Sequence, residues 1–248
     1  MALSSEKIII LNSVGSTNNY AMALIRRGEV ISGNAVFAIE QTQGKGRRNK
    51  KWNASAGENI LMSIVSEMQW LPVSQQFELS AAVALACHDF LSGYLSSGIC
   101  IKWPNDLFIN DSKAGGILIE NLIQATLWQW SVMGIGININ QVAFEECNLP
   151  PVSLKQITGK EYDVLQMVKE LRGFVLKRMD DLKKNNFSKM LEEYNEKLYA
   201  KDRLVKLKKQ NIVFQTTITG VSGSGQLITR DALERHFNFD EIEFKGIV

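Results

Sequence analysis

The chain is poor in the residues that build metal sites and disulfide frameworks. Its 248 residues include three cysteines and two histidines. The cysteines, Cys87, Cys100 and Cys147, are odd in number and scattered, without the spacing of a metal site or of paired disulfides. The histidines, His88 and His236, have no partner at a ligand spacing, and we interpret them as structural or surface residues. A reducing compartment, the cytoplasm, is therefore expected.

Long hydrophobic runs and an excess of one charge are also missing. The apolar run at residues 8–11 is too short for a signal peptide. The uncharged stretch 121–144 contains polar residues and two glycines, which favours two strands over a membrane span. The 28 Lys+Arg and 26 Asp+Glu residues leave a net charge of only +2. These features predict an ordinary globular protein that is not embedded in a membrane.

Positive charge is instead concentrated in one segment, residues 44–52, which we call the basic loop. It contains five cations, no acid, two glycines and Trp52. Glycine allows the backbone to approach a ligand closely, and clustered cations favour a phosphate or carboxylate. Trp52 offers an aromatic face for a base or ring. Taken alone, the segment is as compatible with a solvated basic loop or a contact with nucleic acid as with this anion-binding site.

A second segment joins a short strand to a lysine and two glycines. Residues 99–103 alternate apolar and polar positions and predict a strand that Pro104 ends. Lys113 then begins the return strand of a hairpin, next to a glycine pair at 115–116 that leaves room for another group. Asp106, just upstream, is a carboxylate that a hydrated Mg²⁺ can use. The alternative is that Lys113 is simply a solvated strand end.

A third segment, residues 134–140, alternates isoleucine with glycine and asparagine. The period of two predicts a strand with one face in the core. The other face offers backbone and the amide of Asn138, which is both donor and acceptor and suits an adenine edge. The alternative is a glycine-rich strand whose asparagine only begins a turn.

Periodicity predicts strands and helices before residue 200 and only short strands after it. Ser16 or Thr17 is expected to cap the first helix, which Gly28 ends. The change of pattern near Ala200 predicts two domains, 1–200 and 201–248. The predicted helices are 17–27, 77–95, 163–184 and 187–198, and the predicted strands are 7–11, 35–40, 60–66, a hairpin over 99–122, 126–133, 134–139, 204–207, 212–214, the surroundings of 218, and 227–228.

These motifs together resemble bacterial biotin–protein ligases. Five segments occur in the order seen in that family, and five in register are far more specific than one. They are residues 16–18, 44–52, 102–106, 113–118 and 134–138. The basic loop departs from the family pattern at Lys45, where the family has arginine, and at Asn49, where it has glycine. Lysine keeps the charge but loses the planar fork, and asparagine tolerates a left-handed backbone.

The resemblance implies a fold and a domain content. The expected fold class is α+β, with a mixed β-sheet flanked by helices as the catalytic domain and a small SH3-like β-barrel at the C-terminus. Many members also have an N-terminal helix-turn-helix domain of about 50 residues or more. Only residues 1–7 precede the first predicted strand, so we expect the monofunctional type, without DNA as a partner.

The resemblance also implies a reaction. Biotin would be activated with ATP and Mg²⁺ to biotinyl-5′-AMP, and then transferred to a lysine of a biotin carboxyl carrier protein or domain of a biotin-dependent carboxylase. Lys113 and Arg47 would be catalytic, flanking the biotin carboxylate and the α-phosphate. Asp106 is assigned to Mg²⁺ or to orienting Lys113. The implied biotin contacts are Ser16, Thr17, Asn18, Gln41, Gly44, Lys45, Gly115 and Gly116, and the implied ATP contacts are Lys45, Arg47, Arg48, Trp52, Lys113 and Asn138.

Two other functions remain open at this point. A lipoate or octanoate ligase shares the fold and a catalytic lysine at the position of Lys113, but that branch lacks the Gly-x-Gly-Arg-Arg segment present here. A nucleic-acid-binding module would use the cations of the basic loop and Trp52, and predicts a broad basic face with salt-sensitive binding. The sequence does not choose between a monomer and a homodimer.

Overall fold

The first domain is built on one mixed β-sheet. The structure is a computed structural model that describes residues 8–145 and 150–248; Lys7 and Cys147 lie outside these ranges. Seven strands follow the order β1-β2-β3-β7-β6-β5-β4. β1 and β2 pair in parallel, and the other neighbours are antiparallel. The strands are β1 (Ile8–Val14), β2 (Ala35–Gln41), β3 (Asn59–Glu67), β4 (Ile99–Lys102), β5 (Asp106–Ile109), β6 (Ser112–Gln124) and β7 (Leu127–Asn138).

Helices cover both faces of this sheet. α1 connects the two parallel strands and packs its apolar side, including Ala21 and Leu24, on Val36 and Val65. The neighbouring residues Phe37 and Ile64 point to the opposite face, since side chains alternate along a strand, and belong to the larger core. The helices are α1 (Thr17–Arg27), α2 (Gln76–Ser92), α3 (Leu154–Thr158), α4 (Val164–Lys183) and α5 (Phe187–Glu196).

The C-terminal segment forms a second, five-stranded antiparallel sheet. Its order is β11-β10-β9-β8-β12, which agrees with the expected SH3-like domain. Val205 and Leu207 of this sheet are buried in the same hydrophobic core as the first domain. The boundary near Ala200 is therefore a change of topology within one continuous core, and two separate domains remain a prediction. The strands are β8 (Leu204–Lys209), β9 (Ile212–Val221), β10 (Leu227–Arg230), β11 (Glu234–Phe237) and β12 (Ile242–Ile247).

Most predicted elements are confirmed, with a few differences. β7 is one strand, where two were predicted at 126–133 and 134–139, because Gly134 continues the ladder with β3 and β6. The helix α3 was missed because its five residues are too few to show a period; Ser153 forms a capping box with Gln156 that begins it. The strands β11 and β12 were also missed. Within the described ranges, no helix is long and apolar enough to span a membrane.

Candidate active site

A groove lies between the first sheet and the C-terminal sheet. Its volume is about 620 Å³, within the range of about 300–1,000 Å³ typical of small-molecule sites. The basic loop, the turn at 103–105 and strands β6 and β7 line it from the first domain, and Leu207 and Phe244 are among the lining residues of the second. The groove therefore brings together residues from all five segments on which the resemblance was based.

One end of the groove is polar and buried. Both the backbone N–H and the Oγ1 of Thr17 donate to Gln41 Oε1, over 2.7 and 3.0 Å. Ser63 Oγ lies 2.7 Å from Thr17 Oγ1 and 2.6 Å from Asn18 Oδ1. Asn18 Nδ2 donates to Glu120 Oε2 over 2.7 Å and to a backbone carbonyl. This network fixes the first turn of α1 on the sheet and leaves the Gln41 Nε2 group as the donor for a ligand.

Ser16 begins α1 but does not cap it with its side chain. It is the N-cap residue with extended backbone and makes no side-chain cap hydrogen bond. The Gln41 side chain satisfies the Thr17 N–H instead. Ser16 is 3% exposed and lines the groove, so its hydroxyl stays available to a ligand, as the prediction requires.

Glycines of β7 make room for two groove side chains. A Cβ at Gly134 would lie 2.3 Å from Asn18 Oδ1, and a Cβ at Gly136 would lie 2.7 Å from Trp52 Cε2. Two residues along a strand are about 7 Å apart. The polar end and the Trp52 indole are therefore neighbours on one face of the sheet, and side chains at the two glycine positions would displace both.

The Trp52 indole lies over Gly116 and Gly136 of the sheet, beside Lys113. Lys113 Nζ is 5.6 Å from the ring centroid, and a Cβ at Gly116 would lie 3.4 Å from Trp52 Cζ3. The Nε1 group of Trp52 is buried and has no hydrogen-bond partner among the described residues. An unsatisfied buried donor costs about 1–3 kcal/mol, which a ligand with an acceptor at this point would relieve.

Lys113 forms an ion pair with Asp106 across the β5–β6 ladder. The distance from Lys113 Nζ to Asp106 Oδ1 is 2.6 Å, and both side chains are partly exposed to the groove. Asp106 sits opposite Gly116 in register. The described residues contain no group of three or more His, Cys, Asp or Glu side chains that would hold a metal ion. Of the two predicted roles of Asp106, this geometry supports orienting Lys113.

Arg47 reaches the groove between both domains. Its Nη1 donates to Asn105 Oδ1 over 3.4 Å, and its guanidinium carbon lies 4.1 Å from the Phe239 ring centroid. Burial, and then the neighbouring Arg48, lower the pKa of Arg47, while Asp106 and Asp240 act in the opposite direction. The guanidinium stays charged at neutral pH, since arginine is not deprotonated in proteins.

Other predicted residues lie close to the groove but contact the protein. Lys45 Nζ donates to Asn19 Oδ1 over 2.8 Å, while its residue still lines the groove. Gly44 and Gly115 do not line it. A Cβ at Gly44 would lie 2.3 Å from the Trp52 carbonyl oxygen, and one at Gly115 would lie 2.7 Å from the Gly136 carbonyl oxygen. Both glycines allow backbone segments to approach, and direct biotin contacts there remain a prediction.

Asn138 is buried behind the groove wall. Its Nδ2 donates to the backbone carbonyls of Lys113 and Val152, over 3.4 and 3.2 Å. An adenine contact by this residue would therefore use Oδ1 and not the amide donor. The role of Asn138 in adenine recognition remains a prediction, but the structure links it directly to the backbone of Lys113.

Sequence reasoning missed several residues of the site, among them Lys102 and Ser63. Lys102 lines the groove, and burial is the largest cause that lowers its pKa. Its Nζ lies 4.9 Å from the Phe244 ring centroid and 5.4 Å from that of Phe108. Its place directly before Trp103 in the second motif was the available signal. Ser63 had no signal, because a single serine in an apolar strand is unremarkable.

The groove has a strong excess of positive charge. Eight of its lining residues are cationic and two, Asp106 and Glu243, are acidic, although the whole chain is nearly neutral. A partly enclosed concave site strengthens such a field. The cations are Lys45, Arg47, Arg48, Lys50, Lys51, Lys102, Lys113 and Lys245.

Comparison with known proteins adds a family match. A sequence model of the biotin/lipoate A/B protein ligase family matches residues 10–138, which is 129 of the 248 residues of the chain. The chain is 33% identical over 144 residues to the bifunctional ligase/repressor BirA of Salmonella typhimurium, a match that covers 58% of this chain and 44% of that relative. It thus spans less than half of that relative's length.

A second relative and a solved structure have a more similar size. The biotin–[acetyl-CoA-carboxylase] ligase of Paracoccus denitrificans is 36% identical over 163 residues, covering 62% of this chain and 65% of the relative. The biotin protein ligase of Aquifex aeolicus, solved in complex with biotin and ATP, superposes with a TM-score of 0.82 at 22% identity. That superposition covers 97% of this chain and 99% of the other and establishes the likeness of fold.

Proposed function

Because the chain belongs to the biotin/lipoate A/B protein ligase family, we propose that it is a biotin–protein ligase. It activates biotin with ATP to biotinyl-5′-AMP and transfers the biotinyl group to a lysine of a biotin carboxyl carrier protein or domain. The observation that carries the proposal is the composition of the groove. A buried polar end built on Thr17 and Gln41 lies next to a cationic centre at Lys113.

The polar end favours biotin over lipoate. The ureido head of biotin has two N–H donors and a carbonyl acceptor, so its burial requires polar partners. Ser16, Thr17, Asn18 and Gln41 supply hydroxyl and amide groups at one end of the groove. The dithiolane ring of lipoate has no comparable donors or acceptors, so it would offer no partner to the Ser16 hydroxyl and the Gln41 Nε2 group, which the internal network leaves available.

The cationic centre suits the first chemical step. A carboxylate oxygen of biotin forms a bond to the α-phosphorus of ATP while the bond from that phosphorus to pyrophosphate breaks. Both reactants are anions, so the main tasks of the protein are positioning and neutralisation of charge. Lys113, held by Asp106, neutralises charge between carboxylate and α-phosphate, and Arg47 contacts the phosphate from the basic loop. Arg48 and Lys45 hold the pyrophosphate side.

Mg²⁺ accompanies ATP in this proposal. Its usual partners are one or two carboxylates with substrate phosphates and waters. Asp106 is the only acidic residue on the first-domain wall of the groove among the described residues, and its Oδ1 already accepts a hydrogen bond from Lys113. These residues fit a cation that the nucleotide phosphates hold, with at most one protein carboxylate. Bound there, it would neutralise phosphate charge.

The second step uses the same groove. The amine nitrogen of a carrier lysine forms a bond to the acyl carbon of biotinyl-5′-AMP, the bond from that carbon to the phosphate oxygen breaks, and AMP leaves. The attacking nitrogen loses one proton. Trp52 and the Asn138 Oδ1 atom are assigned to the adenine.

Adenylate formation tests the proposal directly. The purified protein is incubated with ATP and Mg²⁺, and with biotin or lipoate, and the acyl-adenylate is measured by mass spectrometry. Biotinyl-5′-AMP in the first reaction and no lipoyl-AMP in the second is the expected result. Preference for lipoate would assign the protein to the other branch of the family. Transfer is then measured with an isolated biotin carboxyl carrier domain and with its lysine-to-alanine variant, which should remain unlabelled.

A further inference from the structure

Both arginines of the basic loop contact one residue of the C-terminal segment, Phe239. The Arg47 guanidinium carbon lies 4.1 Å from the centroid of the Phe239 ring. Arg48 Nη2 donates to the Phe239 backbone carbonyl over 2.6 Å. Phe239 lies in the connection between β11 and β12. The contacts therefore join the loop to a segment 191 residues further along the chain.

Hydrophobic burial does not explain the position of the Phe239 side chain, because 52% of the surface of this residue is exposed. Its ring face is instead used by a cation, an arrangement that is attractive because the face of an aromatic ring is electron-rich. Asn105 Oδ1 accepts a hydrogen bond from Nη1 of the same guanidinium. Arg47 is thus held between a turn of the first domain and a turn of the second.

The loop needs such a contact. Its five cations repel one another, and the hydrogen bonds within it, such as Gly46 N–H to the Lys50 carbonyl at 2.7 Å, do not fix it over the groove. Lys45 donates to Asn19 and Arg47 to Asn105, but neither bond supports Arg48. Arg48 also has a φ of 55°, a left-handed backbone that non-glycine residues adopt only where the surroundings hold it. Contacts from the C-terminal turn supply that support.

We infer that Phe239 is a positioning residue: it holds the arginine pair of the basic loop over the groove through its ring contact with Arg47. Arg47 is then near its working position before an anionic substrate arrives, so less freedom is lost on binding. The consequence for catalysis rests on the proposed function, but the consequence for the loop does not. The C-terminal domain would thereby complete the site without supplying a reacting group at this point.

The test uses the full-length protein without any ligand. Phe239→Leu removes the aromatic face and keeps apolar volume and the backbone carbonyl, while Phe239→Tyr keeps the ring. Trypsin cleavage after Arg47 and Arg48 reports the population of the open loop. The Phe239→Leu variant should be cleaved about 3- to 10-fold faster than the wild type, as expected for loss of a partly exposed cation–π contact. Phe239→Tyr should be cleaved at the wild-type rate.

Two comparisons separate positioning from a general loosening of the C-terminal sheet. Leu233→Ala alters another exposed apolar residue of that domain, 67% exposed and away from the groove, and should leave cleavage unchanged. In an Arg47→Gln background, cleavage after Arg48 should no longer respond to Phe239→Leu. Equal acceleration in both backgrounds, or acceleration by Leu233→Ala, would overturn the inference.

The catalytic consequence is measured separately. Phe239→Leu should raise the KM for ATP about 3- to 10-fold and leave biotin affinity without ATP unchanged, because the ureido pocket does not contact Phe239. Faster cleavage with an unchanged KM would overturn the catalytic part. If the wild type forms no biotinyl-5′-AMP, the proposed function fails, while the proteolysis result still decides whether Phe239 holds the loop.

Discussion

Lys113 and Asp106 form a 2.6 Å ion pair that crosses the β5–β6 ladder and opens onto the groove. Both residues stand on strands, so the pair has a rigid support that the basic loop lacks. Asp106 faces Gly116, whose missing side chain keeps the space above the pair open: a Cβ there would lie 3.5 Å from Asp106 Oδ1 and 3.6 Å from Lys113 Nζ. The pair is therefore placed to meet a substrate anion.

Lys113→Gln should separate catalysis from binding. The change keeps length and polarity but removes the charge that acts mainly in the transition state. Loss of one such electrostatic contact costs on the order of 10²–10³ in rate, whereas biotin affinity should change far less because the Thr17–Gln41 network remains. Single-turnover adenylate formation and calorimetric biotin binding measure the two quantities. Parallel losses in both would show that Lys113 has been given the wrong role.

Asp106→Asn should distinguish an orienting carboxylate from a metal ligand. If Asp106 orients Lys113, the variant loses rate on the order of tenfold, as for a hydrogen bond to a charged group, and its dependence on Mg²⁺ concentration stays that of the wild type. Adenylate formation is measured across a Mg²⁺ titration in both proteins. A clear shift of the half-saturating Mg²⁺ concentration would instead make Asp106 a metal ligand.

Arg47→Gly should release the intermediate more than it prevents its formation. The change removes a charge-assisted contact to phosphate, worth roughly 1.5–3 kcal/mol, or about one to two decades in affinity. Biotinyl-5′-AMP that escapes will label exposed lysines of bystander proteins, which an avidin blot of a reaction with added albumin detects. Labelling confined to the carrier, at reduced affinity for the adenylate, would contradict this role.

Gly136→Ala should disturb Trp52 and with it the groove. The added Cβ would lie 2.7 Å from Trp52 Cε2, and such crowding typically costs about 1–3 kcal/mol. The free energy of unfolding and the biotin affinity should both fall, as measured by denaturant titration and calorimetry. Gly173→Ala is the matched control, since a Cβ there meets nothing within 4 Å in helix α4, and it should stabilise the protein slightly.

The sequence predicted the fold where local patterns decide it. Helix α1 runs from Thr17 to Arg27 and ends at Gly28 in a left-handed conformation, as the capping pattern indicated. The break expected at Gly134 was wrong. Glycine is required there because a side chain would collide with Asn18, which packs on the sheet at this point, and not because the strand ends. A local pattern cannot distinguish these two reasons for a glycine.

The site was predictable only in part, because local sequence patterns do not show which distant residues come into contact. Lys113, Arg47 and Asp106 stand in motifs, and the structure brings them to one groove. Phe239 and Phe244 come from the C-terminal segment, where no motif marks them, and their role follows from packing between segments far apart in the chain. Ser63 likewise belongs to the site only through its hydrogen bonds with Thr17 and Asn18, which lie 46 and 45 residues away in the sequence.

Lys102→Met should exchange activity for stability. Burial lowers the pKa of Lys102 in the folded protein, so the ammonium is less favourable there than in the unfolded chain, and its removal should raise the free energy of unfolding at neutral pH. Between the lowered pKa and the unfolded value of about 10.4, the unfolded chain binds more protons, so the wild type gains stability with rising pH relative to the variant. The difference in the free energy of unfolding between the two proteins should therefore shrink at alkaline pH.

The rate of adenylate formation by Lys102→Met should fall on the order of 10²-fold, as for a lost electrostatic contact. Denaturant titrations between neutral and alkaline pH, with rates measured alongside, test both; a variant less stable than the wild type at neutral pH would show that the Phe108 and Phe244 contacts outweigh the cost of burial.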